Sequence, residues 1–100
     1  MPKTAFIVLK SPQERDPTHM VKRLAEEQDA SVILLEDGIY HAIQAATAER
    51  LGKVSHQVLV SREDVEARGF SSSDIRVGKA VEYADLIDCI MERTERTVTI

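Results

Sequence analysis

Apolar residues along this chain come in short bursts separated by longer amphipathic stretches. TAFIVLK, from Thr4 to Lys10, is too short for a buried helix and rich in β-branched residues, so it predicts a central strand. SPQERDP then interrupts the pattern with prolines, and Asp16 followed by Pro17 supplies a helix N-cap and a first-turn proline. Beyond it Met20, Val21, Leu24 and Ala25 recur at helical spacing with Lys22, Arg23, Glu26 and Glu27 opposite, which predicts a helix ending near Gln28.

SVILL, from Ser31 to Leu35, predicts a second buried strand, and EDG ends it. In IYHAIQAATAERLG, the residues Ile39, Ala42, Ile43 and Ala46 form one apolar stripe, the alanines favour helix, and Gly52 stands where a C-terminal glycine belongs. HQVLV predicts the third strand. SREDVEARG predicts the third helix: Ser61 and Asp64 fit the capping spacing, Gly69 suits a left-handed residue after the last turn, and Phe70 is placed to pack back on Val65. SSSD reads as a polar loop, and the glycine-interrupted IRVGKAVEY as a weaker strand near an edge. ADLIDCIMER predicts a last helix whose inner face is Ala84, Ile87, Ile90 and Met91, and TVTI a short final strand.

Strands and helices therefore alternate, and each connection is long enough for a right-handed crossover. The expected fold is α/β, a single domain over residues 1–100 with a five-stranded, mostly parallel sheet between helices on both faces. Such sheets meet ligands and partners at the carboxyl ends of their strands, here Lys10–Ser11, Glu36–Gly38 and Ser61–Arg62.

Composition narrows the function classes. The chain is 43% hydrophobic and 30% charged, as globular domains are. A net charge of −4 argues against general nucleic-acid binding, which calls for a basic face. No run approaches the roughly 18 apolar residues of a membrane span, and the five apolar residues before Lys10 are too few for a secretory leader. One cysteine, Cys89, precludes an internal disulfide and is compatible with a reducing cytoplasm, the expected location.

Familiar chemistries find little support. The phosphate-loop and dinucleotide glycine patterns are both missing after the first strand. The receiver pattern of acidic strand ends is replaced by Lys10 and Ser61. His19, His41 and His56 are too far apart for a metal pair, so no metal and no cofactor is expected. Asp37 and His41, four residues apart, read as a helix-terminus carboxylate and a partly exposed helical histidine. Ser61 is a nucleophile candidate only with a general base nearby, and it lies outside any G-x-S-x-G elbow, so a helix cap is the favoured reading. Cys89 falls away from the Ala84–Ile87–Met91 face, in the company of Asp85, Asp88, Glu92 and Arg93. Neighbouring carboxylates disfavour its thiolate, so it reads as a small residue at a flank or interface rather than a reactive thiol.

Three segments in order, SVILLEDGIYHAI, VLVSREDVEARGF and AVEYADLIDCI, resemble the DsrH/TusB family of sulfur relay proteins, within the wider DsrE/DsrF/DsrH group. The resemblance covers nearly the whole chain. It implies a three-layer α/β/α sandwich with strand order 4-3-2-1-5. It also implies a role in passing persulfide sulfur between carriers, either for 2-thiolation of tRNA wobble uridine or in dissimilatory sulfur metabolism. Family members assemble from three related subunits, two copies each, and some relatives form homo-oligomers. In DsrE-like subunits the sulfur-carrying cysteine ends the third strand, eight residues before the glycine of an Arg-Gly pair; here that position is Ser61, counted from Gly69. The DsrH branch commonly lacks that cysteine.

The resulting expectation is a non-catalytic subunit that holds DsrE-like and DsrF-like partners, with no direct nucleic-acid or membrane contact. Its contact residues would be Lys10, Asp37, Gly38, Tyr40, His41, Ser61 and Arg62, with Tyr40 as the aromatic anchor. Two alternatives stay open: a stand-alone homo-oligomer that binds a small ligand, and a sulfur carrier that uses Cys89.

Overall fold

The computed structural model describes residues 4–14, 18–24, 30–55, 57–92 and 96–100. Five strands, β1 (Thr4–Val8), β2 (Ala30–Leu34), β3 (Gln57–Ser61), β4 (Lys79–Val81) and β5 (Arg96–Thr99), form one sheet in the order β4-β3-β2-β1-β5. Every pairing is parallel, with Phe6 beside Val32 and Val98, and Val32 beside Val58. The expected topology and order are those observed. All of β2 is buried, which is why Ser31–Leu35 reads as a continuous apolar run rather than an alternation. The short β4 is an edge strand, as its glycine-interrupted sequence predicts.

The helices are α1 (Thr18–Leu24), α2 (Tyr40–Ile43), α3 (Ala45–Val54), α4 (Arg62–Ala67) and α5 (Tyr83–Glu92). The expected cap at Asp16–Pro17 and the expected end of the first helix near Gln28 lie outside the described residues.

The two faces of the sheet are covered unequally. Strands β1 to β4 advance in one direction, so right-handed crossovers place α1 to α4 on the same face. There Phe6, Val8, Val32, Leu34, Val58 and Val60 pack with Val21, Ile39, Ala42, Leu51 and Val65. The step from β4 to β5 jumps back across the sheet, and the same handedness puts α5 on the other face, alone among the described helices. Its core is smaller: Ala5, Ile33 and Val81 against Leu86 and Cys89, with Leu35, Leu59 and Ile90 at its margin.

Two helices depart from the sequence pattern. The expected continuous helix from Ile39 is a 3-10 turn (Glu36–Ile39) leading into α2, then a break at Gln44, whose backbone is extended at φ −81° and ψ 126°. The freed carbonyls are taken up from outside the helix. Thr47 Oγ1 donates to His41 O and Gln44 O, while Arg76 donates through its backbone to Ala42 O and through Nε to Ile43 O. The break rotates α3 relative to α2, so Ala46 is exposed and Thr47, Ala48 and Leu51 are buried instead. Gly52 is inside α3 and does not end it; Ser55 does, with its Oγ donating to Leu51 O at 2.7 Å.

In α5 the expected inner face is displaced. Leu86 and Cys89 are buried and Ile90 half-buried, while Ala84, Ile87 and Met91 face outward. Cys89 is thus a core residue, not a flank residue among carboxylates.

Candidate functional site at the carboxyl ends of the strands

The end of β3 turns directly into α4 at Ser61. Its Oγ accepts the Asp64 backbone N–H at 3.3 Å, satisfying one of the unpaired donors of the first helical turn. Ser61 is fully buried, so its hydroxyl faces the helix start and not solvent. The helix stops as its sequence predicts: Gly69 has φ +83°, Gly69 N donates to Glu66 O, and Phe70 N donates to Val65 O.

The Asp64 side chain does not return to the Ser61 N–H to close a capping box. Its Oδ2 accepts the Glu36 N–H at 3.0 Å, and its Oδ1 lies 3.6 Å from Arg68 Nη1. Arg68 then donates from Nε and Nη2 to Asp37 Oδ1, at 3.1 and 3.0 Å. A chain of charged hydrogen bonds thereby ties α4 to the EDG turn after β2. Glu36 sits in the left-handed region at φ +50°, a strained setting for a residue with a side chain. Asp37 was expected to act on a helix terminus, and its carboxylate is instead given to Arg68.

Gly38 lies where the turn passes over β1. A Cβ there would collide with Val8 O, so this approach admits no side chain. Next to it His41, expected to be partly exposed, is only 1% exposed, and its Nε2 donates to Lys10 O at 3.0 Å. Since a carbonyl only accepts, Nε2 carries the proton. Tyr40 packs edge-on against Phe70, with ring centres 5.9 Å apart, and leans on the larger core. Lys10 and Asp37 are exposed, and Arg62 is half-buried, with Nη2 donating to Ala80 O at 3.4 Å and Nη1 lying 3.6 Å from Glu82 Oε1. Glu63 Oε2 accepts the Tyr83 N–H at 3.1 Å at the start of α5.

The fold therefore gathers Lys10, Asp37, Gly38, Tyr40, His41, Ser61 and Arg62 at one end of the sheet, where sequence placed them. It leaves only Lys10, Asp37 and Arg62 with substantial surface. Glu36, Asp64 and Arg68 complete the cluster and were missed. The Asp64–Arg68 spacing on one helix was a readable signal, but their bonds to residues 28 and 31 positions away were not. Cys89 lies toward the opposite end, beside Gln57, the first residue of β3. Gln57 Nε2 donates to Ser31 Oγ at 2.8 Å and lies 3.7 Å from Cys89 Sγ. Among the described residues no group of three or more His, Cys, Asp or Glu could hold a metal, and no helix is long and apolar enough to cross a membrane.

A family model described as DsrH like protein matches residues 10–96. Among solved structures, the solution NMR structure of protein Tm0979 from Thermotoga maritima is similar with a TM-score of 0.59 and 21% identity, over 84% of this chain and 87% of that chain. At that identity the likeness is one of fold. No curated protein matches the sequence.

Proposed function

Because the chain belongs to the DsrH-like family, which implies a sulfur-relay-associated role, we propose that it is a non-catalytic subunit of a persulfide-transfer complex. The reading rests on Ser61. Carrying sulfane sulfur requires a thiolate, which attacks a donor persulfide and keeps the outer sulfur. The position that would hold the carrier cysteine in a DsrE-like subunit is here a buried hydroxyl committed to capping α4. The chain's one cysteine is a core residue toward the other end of the sheet. The thiol chemistry then belongs to DsrE-like and DsrF-like partners, and this chain contributes shape and charge beside them.

At the strand ends Lys10, Asp37 and Arg62 are the groups with surface to offer a partner, while Gly38, Tyr40, His41 and Ser61 support them from beneath. The acceptor of the relayed sulfur, whether tRNA wobble uridine or a carrier of dissimilatory sulfur metabolism, is chosen by the complex as a whole, in the cytoplasm.

The test is affinity purification of the chain from its own host, native mass measurement, and loading with labelled sulfur. The expected result is discrete co-elution of small cysteine-bearing chains, with the label on a partner cysteine. A homo-oligomer carrying the label on Cys89 would replace this reading with that of a self-sufficient carrier.

A further inference from the structure

The smaller core uses only one side of α5, yet the helix is apolar well beyond that side. Leu86, Cys89 and Ile90 face the sheet. Tyr83, Ile87 and Met91, at i, i+4 and i+8, form a second stripe that is 46%, 52% and 75% exposed, with Ala84 exposed beside it. At about 100° per residue the two stripes together cover roughly 220° of the helix circumference. A helix with one buried contact needs an apolar arc of only about 100°. The excess is more than that one contact uses, and it lies on the face of the sheet that no other described helix covers.

Charge selects the occupant. The outward stripe is bordered by Asp88, which is exposed, and the sequence of α5 contains no Lys or Arg. Glu82, just before the helix, already faces Arg62. An isologous contact between two copies, crossing at Ile87, would bring Asp88 toward its own counterpart as water is expelled. Two chains of net charge −4 would also repel each other. Like charges placed across an interface are a strong penalty, and opposite ones favour both encounter and register.

We propose that the outward face of α5, centred on Tyr83, Ile87 and Met91, docks a different protein chain that presents an apolar patch rimmed by Lys or Arg. Within the relay-subunit reading, on which this inference rests, that chain is another subunit of the complex. The surface is separate from the strand-end cluster.

The experiment uses the complex co-purified from the host and the chain alone. Ile87→Glu/Met91→Glu changes only exposed positions, so its thermal melt should match that of the wild type. Its affinity for the co-purifying chains should fall by about 100-fold, the scale of losing a central apolar anchor pair. Asp88→Lys should weaken the same contact about tenfold, and the wild-type affinity should fall with added salt. A complex undiminished by Ile87→Glu/Met91→Glu would overturn the inference while leaving the relay reading standing. A dimer of the chain alone that this variant dissolves would give the face to a second copy and overturn the proposed occupant. A wild-type chain that recruits no partner at all would remove the relay reading and this inference with it.

Discussion

The carboxylate of Asp64 holds the backbone N–H of Glu36 at 3.0 Å, across 28 residues of sequence. The residue it holds is in the left-handed backbone region, at φ +50°. Asp64 is thus a brace between the start of α4 and the strained turn after β2, and Arg68 extends the brace to Asp37.

Removing that brace should be felt as stability. Asp64→Ala is expected to cost about 2 kcal/mol, because it leaves the Glu36 N–H without its charged acceptor and Arg68 with Asp37 as its remaining carboxylate. Ser61→Ala, which removes only the helix cap, should cost about 1 kcal/mol. Urea denaturation with an unchanged slope reads both. Asp64→Ala keeps the backbone N–H that Ser61 Oγ accepts, so a loss near zero in that variant would show that the Asp64 carboxylate braces nothing.

Glu36→Gly should leave the protein as stable or raise its stability by up to about 1 kcal/mol. A left-handed conformation costs an ordinary residue about 1–2 kcal/mol, and the extra freedom of glycine in the unfolded chain offsets part of the gain. A thermal midpoint several degrees lower would mean that the Glu36 side chain contributes a contact of its own.

Gly38→Ala should lower stability by about 3 kcal/mol, at the upper end of overpacking costs, since the new methyl group would meet the Val8 carbonyl of β1 and not a movable side chain. Gly69→Ala introduces no clash, and its cost is limited to the left-handed strain of about 1–2 kcal/mol. Comparing the two midpoints separates a steric glycine from a conformational one.

His41→Ala should cost about 2–4 kcal/mol through the cavity it opens and the lost bond to Lys10 O. Its effect on partner binding would then follow its effect on folding. Lys10→Ala keeps that carbonyl and should leave the melt unchanged, so any loss of binding would report direct contact. Circular dichroism melts beside binding isotherms make the distinction.

Cys89 should react with a thiol reagent only when the domain opens. Alkylation at neutral pH is expected to be at least about 100-fold slower in the folded protein than in urea. Rapid labelling without denaturant would place Cys89 in reach of solvent and restore it as a sulfur acceptor.

The sequence by itself determined the alternation of strands and helices, because buried parallel strands must be short apolar runs and the helices between them amphipathic. It determined the Ser61 cap and the Gly69 stop, since both are local backbone problems with few chemical solutions. Tertiary structure decided which side of an apolar helix is buried: in α5 either stripe was available, and the crossover from β4 to β5 chose Leu86 and Cys89 over Ile87 and Met91. It also decided the break at Gln44, which Thr47 and Arg76 make tolerable by taking the freed carbonyls, and the turn of His41 into the core. Local periodicity reports that a surface is apolar or a donor is needed; the partner that covers the one or accepts from the other comes from distant parts of the chain.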